Sequence, residues 1–235
     1  MGVQQRKERE FQRREQEILA AALDLFRNDD WQAVTVEQIA EAAEIGKGTI
    51  YKHFPSKDAM YARLVMDYQR HAIEKLRRID PKLDVIQRLR AIIAVTWEQN
   101  MAAQEYQRLV QYCSRDDFRS GLNEETRAEL HRQDEEYFGL ISEVLEEGVR
   151  RSLLPRKTPQ ELLFGPMAAL LGARTMLWNS CMCPGELPAG SSLKELSNFI
   201  LAGMLYQEWL AEEGLLDDEA MEHALAELEA VTADA

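Results

Sequence analysis

Apolar residues recur at intervals of three and four along nearly the whole chain, and this spacing constrains the fold more than any other feature. Within residues 15–26, for example, Ile18, Ala22 and Leu25 fall on one side of a helix. No run of alternating β-branched residues with hairpin signals is present, and no segment repeats at a fixed period. The sequence therefore predicts an all-α fold.

Two short helices are predicted near the N-terminus, behind a longer first helix. Thr35 begins the first of them, because its hydroxyl suits a helix cap and Gln38 completes a capping box. The second lies within "IGKGTIYKHF", residues 45–54, and ends before Pro55. A turn containing Gly46 joins the two. This order predicts a helix-turn-helix unit, whose last helix enters the major groove of DNA.

The charge of the chain is distributed unevenly. The whole sequence has a net charge of −13, which by itself argues against a nucleic-acid partner. Residues 1–60, however, hold nine Lys/Arg against eleven Asp/Glu, whereas the remainder holds nineteen against thirty. The first 14 positions have a net charge of +3, and Lys47, Lys52 and Lys57 follow at five-residue steps. These local basic clusters reopen the question of a nucleic-acid partner.

The second short helix carries the chemistry that a DNA contact needs. Gly46 and Gly48 have no side chain and let the backbone lie close to DNA. Thr49 is able to contact a base, a phosphate or a thymine methyl group. The donors expected to reach phosphate oxygens are Tyr51, Lys52, His53 and Lys57. An ordinary loop and a fragment of a P-loop are the alternatives, but a P-loop has a different spacing and follows a strand.

Residues 18–65, "ILAAALDLFRNDDWQAVTVEQIAEAAEIGKGTIYKHFPSKDAMYARLV", resemble the N-terminal DNA-binding domain of the tetracycline-repressor (TetR) family. The shared features are an Ala/Leu/Phe-rich first helix, "TVEQIAEAA", the Gly-x-Gly-Thr-Ile-Tyr-x-His-Phe helix, and Ser-Lys-Asp at the start of a fourth helix. The resemblance covers about a fifth of the chain. It implies a helix-turn-helix DNA-binding domain over residues 1–58 and a larger helical ligand-binding and dimerisation domain over residues 59–235.

The resemblance also implies a set of DNA contacts. Residues 47–49 lie where members of the family contact bases or the adjacent backbone, and residues 51–53 lie at phosphate-contacting positions. Residues 35–37 begin a helix that also approaches the groove, but Glu37 departs from a basic choice. Its carboxylate either accepts from a cytosine amino group or faces solvent. The implied DNA-binding residues are Thr35, Lys47, Gly48, Thr49, Tyr51, Lys52, His53 and Lys57.

In the family, the last two large helices of each subunit form a four-helix bundle across a two-fold axis. Residues 158–181 and 192–213 stand in the right order for such a bundle. The first of these helices is apolar nearly all round and must therefore be covered on both sides. A central core helix is the alternative interpretation. We expect a homodimer through these two helices, followed by an acidic amphipathic helix at the C-terminus.

The resemblance further implies a ligand-responsive transcriptional regulator, most simply a repressor that a small-molecule effector releases from a palindromic operator. The remaining helices are expected to enclose the effector. Arg174 stands one turn before Trp178 in an apolar helix, and a buried arginine needs an anion or a carboxylate partner. Core packing is the alternative for each lining residue. The candidates are Trp97, Met101, Tyr112, Tyr137, Phe138, Leu171, Arg174 and Trp178.

Other functional classes find little support. The four histidines belong to no partnered catalytic motif, so neither an enzyme nor a cofactor is expected. The three cysteines are too few for a disulfide framework, and "CMC" lacks the spacing of a zinc site. No apolar run approaches the ~18 residues that span a bilayer, and the N-terminus is too polar for a secretory signal. We expect a cytoplasmic protein; a helical adaptor that binds only protein is the alternative function.

Overall fold

The computed structural model describes residues 2–27, 31–101, 104–179 and 191–207. Within these residues the chain forms ten α-helices and one 3-10 helix and contains no strand, which confirms the predicted all-α fold. The helices are α1 (Val3–Phe26), α2 (Val36–Ala42), α3 (Lys47–His53), α4 (Lys57–Arg77), α5 (Val85–Met101), α6 (Gln104–Cys113), α7 (Asp116–Gly121), α8 (Glu124–Arg150), α9 (Pro159–Asn179) and α10 (Ser191–Leu205). The 3-10 helix, Trp31–Ala33, stands between α1 and α2. The predicted C-terminal acidic helix, Cys181 and Cys183 lie outside the described residues.

The start of α2 is fixed by the predicted capping box. Thr35 Oγ1 accepts a hydrogen bond from the backbone N–H of Gln38 at 3.2 Å. In return, Gln38 Oε1 accepts from the backbone N–H of Thr35 at 2.8 Å. Two backbone donors that a helix start would leave without partners are thereby satisfied. Ser56 caps α4 in the same manner, since its hydroxyl accepts from the N–H of Ala59 at 3.1 Å.

The turn between α2 and α3 contains Gly46, as predicted, but its left-handed residue is Glu44. Glu44 has a φ of 53°, in the left-handed region, whereas Gly46 has a φ of −73°, which any residue adopts. The N–H of Ile45 bonds to the carbonyl oxygen of Ala40 at 2.9 Å, and the N–H of Glu44 bonds to that of Glu41 at 3.0 Å. This pair of bonds is a Schellman motif, which ends a helix and reverses the chain. Gly46 serves instead as the residue before α3.

The core of α1 to α4 continues into the helices that follow. Ile18, Ile39 and Ile50 are fully buried and come from α1, α2 and α3 respectively. α4 packs against α1 and, more extensively, against α6. A set of aromatic rings in edge-to-face contact joins these elements, and its members are Phe26, Trp31, Tyr61, Tyr112 and Phe118. Helices α1 to α4 therefore share a core with α6 and α7.

By contacts between Cα atoms, the chain separates into two compact units. The first comprises residues 1–79 and 95–141, and the second comprises residues 80–94 and 142–235. This division groups residues by packing, and the functional boundary between residues 58 and 59 stays a prediction. In the second unit, α9 packs against α10, and an ion pair joins Arg88 to Glu147.

Close packing in the second unit explains one glycine of α8. A Cβ atom at Gly148 would lie 2.6 Å from Leu154 Cδ1 and 3.3 Å from a side-chain carbon of Val85. Real Cβ atoms do not approach other carbons so closely, so a larger residue would displace Leu154. Glycine at this position therefore leaves the space that the Leu154 side chain occupies beside α8.

Within the described ranges, neither a membrane-spanning helix nor a metal-binding cluster is found. No helix there is both long enough and apolar enough to cross a bilayer. No group of three or more His, Cys, Asp or Glu side chains there is arranged to hold a metal ion.

Candidate nucleic-acid interface

The short helix α3 has one buried side and one exposed side. Ile50 is fully buried, and Phe54, which follows the helix, is also in the core. On the outer side, Lys47, Gly48, Tyr51 and Lys52 are exposed, and Thr49 is half-buried at the edge. Five of the predicted DNA-binding residues are therefore brought together on one side of a single helix; two of them, Lys47 and Lys52, are cationic.

Lys47 is paired with a carboxylate across the helix-turn-helix unit. Its ammonium group donates a hydrogen bond to Oε1 of Glu37, in the first turn of α2. This bond lowers the pKa of the Glu37 carboxyl and raises the pKa of Lys47. The same ammonium group lies 5.8 Å from the ring centroid of Tyr51. The sequence left two alternatives for Glu37, a contact with a cytosine amino group or exposure to solvent, and neither of them is an ion pair with Lys47.

His53 faces the first helix rather than the outer side of α3. Its side chain is only 7% exposed, and its ring centroid lies 4.0 Å from that of Phe11 in α1. Its Nδ1 atom lies 3.9 Å from a carboxylate oxygen of Glu15. The predicted phosphate contact of His53 stays a prediction, and in this arrangement its ring links the end of α3 to α1.

Lys57 and Thr35 have structural partners. The Lys57 ammonium donates to the carbonyl oxygens of Gln32 at 2.6 Å and of Val34 at 2.9 Å. These carbonyls belong to the 3-10 helix and the residue after it, so Lys57 ties the start of α4 to the segment before α2. Thr35 is exposed, but its hydroxyl is engaged in the capping box. Any phosphate contact by these residues must coexist with, or replace, these bonds.

The first three turns of α1 form a basic, solvent-exposed arm. Residues 4–13 are all exposed, and Arg6 and Arg13 make long contacts of 3.5 Å with Glu10 and Glu17. Exposed pairs of this kind are weak, so the net positive charge of the arm remains available to a polyanion. The sequence pattern indicated this charge but gave no sign that the arm is a continuous extension of α1.

The eight predicted effector-lining residues fall in both compact units. In the first unit, Tyr137 is buried, Phe138 is exposed and Tyr112 belongs to the aromatic cluster beside Trp31. In the same unit, Trp97 and Met101 are half-buried. In the second unit, Arg174 is buried with its guanidinium 5.1 Å from the ring centroid of Trp178, and Leu171 is exposed. Their role in ligand binding stays a prediction.

The first unit also contains buried polar side chains that the sequence reasoning missed. These are Thr96, Asn100, Gln107 and Gln133. Thr96 Oγ1 lies 3.4 Å from the hydroxyl of Tyr137, and Gln107 Nε2 donates to the Tyr68 hydroxyl at 3.1 Å. A signal was present, because Thr96 and Asn100 continue at helical spacing the stripe that begins with Leu89 and Ile93.

Comparison with known proteins agrees with this architecture. Residues 18–64 match the family model described as bacterial regulatory proteins, tetR family. The regulator TcmR of Streptomyces glaucescens is 42% identical over 57 residues, a segment that spans 24% of this chain and 24% of TcmR. The repressor KstR2 of Rhodococcus jostii is 29% identical over 152 residues, or 64% of this chain and 72% of KstR2.

The fold likeness extends over most of the chain. The structure of FadR from Bacillus subtilis, solved in complex with stearoyl-CoA, superposes with a TM-score of 0.61 and 18% identity, covering 81% of this chain and 97% of FadR. The fold and the exposed α3 define a helix-turn-helix protein. The N-terminal segment, residues 18–64, is that of the TetR family. The family model that this segment matches is one of transcription regulators.

Proposed function

We propose that the protein is a transcriptional regulator, a repressor in its simplest form, that binds a palindromic operator as a homodimer and leaves it when a small-molecule effector binds. The observation that carries this proposal is the outer side of α3, where Lys47, Tyr51 and Lys52 are exposed while Ile50 anchors the helix in the core. This segment is also the one that matches the family model. Exposed cationic and hydroxyl donors on a helix of this kind suit the major groove.

Exposed apolar residues on α9 and α10 support the homodimer. Phe164 is 78% exposed on α9 and Phe199 is 71% exposed on α10, and contiguous exposed apolar surface marks an interaction site. Further exposed residues on the same two helices are Gly165, Ala168, Leu171, Met176, Ala202 and Gly203, and Tyr206 is exposed directly after α10. A second copy that offers the same surface would cover both stripes, as a two-fold interface requires.

Such a dimer would present two copies of α3. On operator DNA the two recognition helices lie about 34–36 Å apart, one helical turn, or slightly further if two dimers share a site. Thr49, at the edge of the exposed side, is the residue we assign to base or methyl contact. Tyr51 and Lys52 are assigned to phosphate contacts, which add affinity for every sequence.

The effector is assigned to the helices that follow α4. Gln133 is buried, and within the described residues its Oε1 atom accepts no hydrogen bond, so a ligand with a hydrogen-bond donor would satisfy it. α6 is in direct contact with the residues between α1 and α2, through the Arg27–Glu105 ion pair at 3.0 Å and through the ring of Tyr112, whose centroid lies 5.3 Å from that of Trp31. An effector that favours a different position of α6 would change the affinity of α3 for DNA.

A gel shift and a footprint on the DNA upstream of the protein's own gene test the proposal. We expect protection of a near-palindromic site, with affinity that falls steeply as salt rises and is much lower for a scrambled duplex. The variant Lys52→Gln should weaken binding to both DNAs, whereas Lys82→Gln, an exposed lysine of the body, should not. Equal affinity for operator and scrambled DNA, or affinity independent of salt, would reject DNA-specific regulation and favour the adaptor function.

A further inference from the structure

Glu37 is the one acidic side chain that contacts a basic residue of α3 across the turn, among the residues that the structure describes. It stands in the first turn of α2, and Lys47 stands in the first turn of α3. Both side chains remain largely exposed, at 59% and 48%, so their pairing is on the outer surface and not in the core. The carboxylate therefore lies on the same surface as the cationic and aromatic residues assigned to DNA.

We propose that Glu37 sets the discrimination of the protein between its operator and other DNA by holding Lys47 in the unbound state. This inference rests on the proposed function. A phosphate that recruits Lys47 must displace the Glu37 carboxylate, which then faces a polyanion without its partner. DNA of arbitrary sequence places no hydrogen-bond donor beside the displaced Glu37 carboxylate. The contact of Lys47 with a phosphate therefore adds little to the affinity for such DNA.

An operator is able to compensate the displaced carboxylate. The amino group of a cytosine in the major groove is a hydrogen-bond donor, and a glutamate is the side chain that accepts from it. A site with a cytosine within reach of α2 would satisfy Glu37 while Lys47 binds a phosphate. Glu37 thus lowers the affinity for all DNA and restores it at sites of suitable sequence, which is how specificity arises from an unfavourable contact.

The sequence supplies matched controls for this role. Glu41 stands one turn after Glu37 on α2, is exposed and carries the same charge. The variant Glu41→Gln therefore reports the effect of removing one negative charge near the DNA. The variant Lys47→Gln reports the loss of the cation, and the double variant Glu37→Gln/Lys47→Gln completes a cycle that isolates the effect of the pair.

The experiment measures binding of a scrambled 30-base-pair duplex by fluorescence anisotropy between about 50 and 200 mM salt. Glu37→Gln should bind this duplex more tightly than the wild type. Its salt slope should be steeper by about 0.9 per contacting subunit, so its advantage should fall roughly threefold per subunit over this range. Glu41→Gln should show a smaller gain and an unchanged slope, and the gain from Glu37→Gln should vanish when Lys47 is already glutamine.

Three results would overturn the inference. One is a gain from Glu37→Gln that persists undiminished in the Lys47→Gln background, because the carboxylate would then act by general repulsion. Another is an equal gain from Glu41→Gln, and the third is no gain at all. Failure of the wild type to bind any duplex at low salt is a different outcome, because it rejects the proposed function and this inference with it. An NMR titration of the Glu37 carboxyl, with and without Lys47→Gln, then reports separately whether the pair exists.

Discussion

Lys57 donates hydrogen bonds from its ammonium group to the backbone carbonyl oxygens of Gln32 and Val34, at 2.6 and 2.9 Å. Because these bonds connect α4 to the segment before α2, the Lys57→Ala variant should lower the free energy of unfolding by about 1–2 kcal/mol. Urea denaturation without DNA measures this effect. Lys52→Ala is the matched control, since Lys52 is exposed on α3. If both variants unfold at the wild-type urea concentration, Lys57 has no structural role.

Glu44 is expected to limit the stability of the helix-turn-helix unit. A side chain in the left-handed region costs about 1 kcal/mol relative to glycine, so Glu44→Gly should raise the free energy of unfolding by about that amount. Glu41→Gly, three residues earlier and inside α2, should lower it by about 1 kcal/mol instead. Thermal unfolding of the two variants decides the matter. If Glu44→Gly does not raise the free energy of unfolding, the turn accommodates Glu44 without strain.

Tyr112 is expected to stabilise the packing of α6 against the 3-10 helix, α4 and α7. Its ring meets those of Trp31, Tyr61 and Phe118 edge-on, with centroids 5.3, 5.8 and 5.1 Å apart. Tyr112→Leu keeps an apolar side chain but loses these contacts, so the free energy of unfolding should fall by about 1–2 kcal/mol. Tyr51→Leu, on the exposed side of α3, should leave it unchanged. Equal denaturation midpoints for the two variants would contradict the prediction.

Ala168 should lie in the proposed two-fold interface. It is exposed on α9 between Phe164 and Leu171, whereas Ala169 is half-buried. In Ala168→Glu a carboxylate would be buried against the second subunit, at a cost of several kcal/mol by order of magnitude, and we expect the dimer to separate. Sedimentation velocity measures this, with Gln111→Glu on α6 as the charge-matched control. If the Ala168→Glu variant still sediments as a dimer, this surface is not the interface.

Cys113 should be unreactive in the folded protein. The side chain is buried, and burial raises the pKa of its thiol to about 12 from the usual 9.0. The nucleophilic thiolate is therefore scarce at pH 8. The folded state favours the protonated thiol, so the stability that Cys113 contributes is present below pH 9 and is lost as the pH rises toward 12. Mass spectrometry after brief iodoacetamide treatment at pH 8 should find Cys113 unmodified in the native protein and modified in urea. Rapid modification without urea would contradict its burial.

Local features of the helix-turn-helix unit were predicted from the sequence because they depend on neighbours in the chain. The capping box of Thr35 and Gln38 is one example, since both bonds lie within four residues. The end of α3 before Pro55 is another, because proline disfavours a helical conformation of the residue before it. The turn containing Gly46 was also predicted, but its left-handed residue was not, because the Schellman bonds to Ala40 and Glu41 place that residue at Glu44.

The sequence by itself determined that the chain is all-helical, which N-terminal helix is presented outward, and where the basic residues concentrate. These properties follow from helical periodicity and capping, which are local. Only the tertiary structure decided that Glu37 meets Lys47, that Lys57 donates to the carbonyls of Gln32 and Val34, and that His53 turns toward Phe11. Each of these pairs joins residues ten or more positions apart on different elements, so its formation depends on how the helices pack and not on the spacing of residues within any one of them.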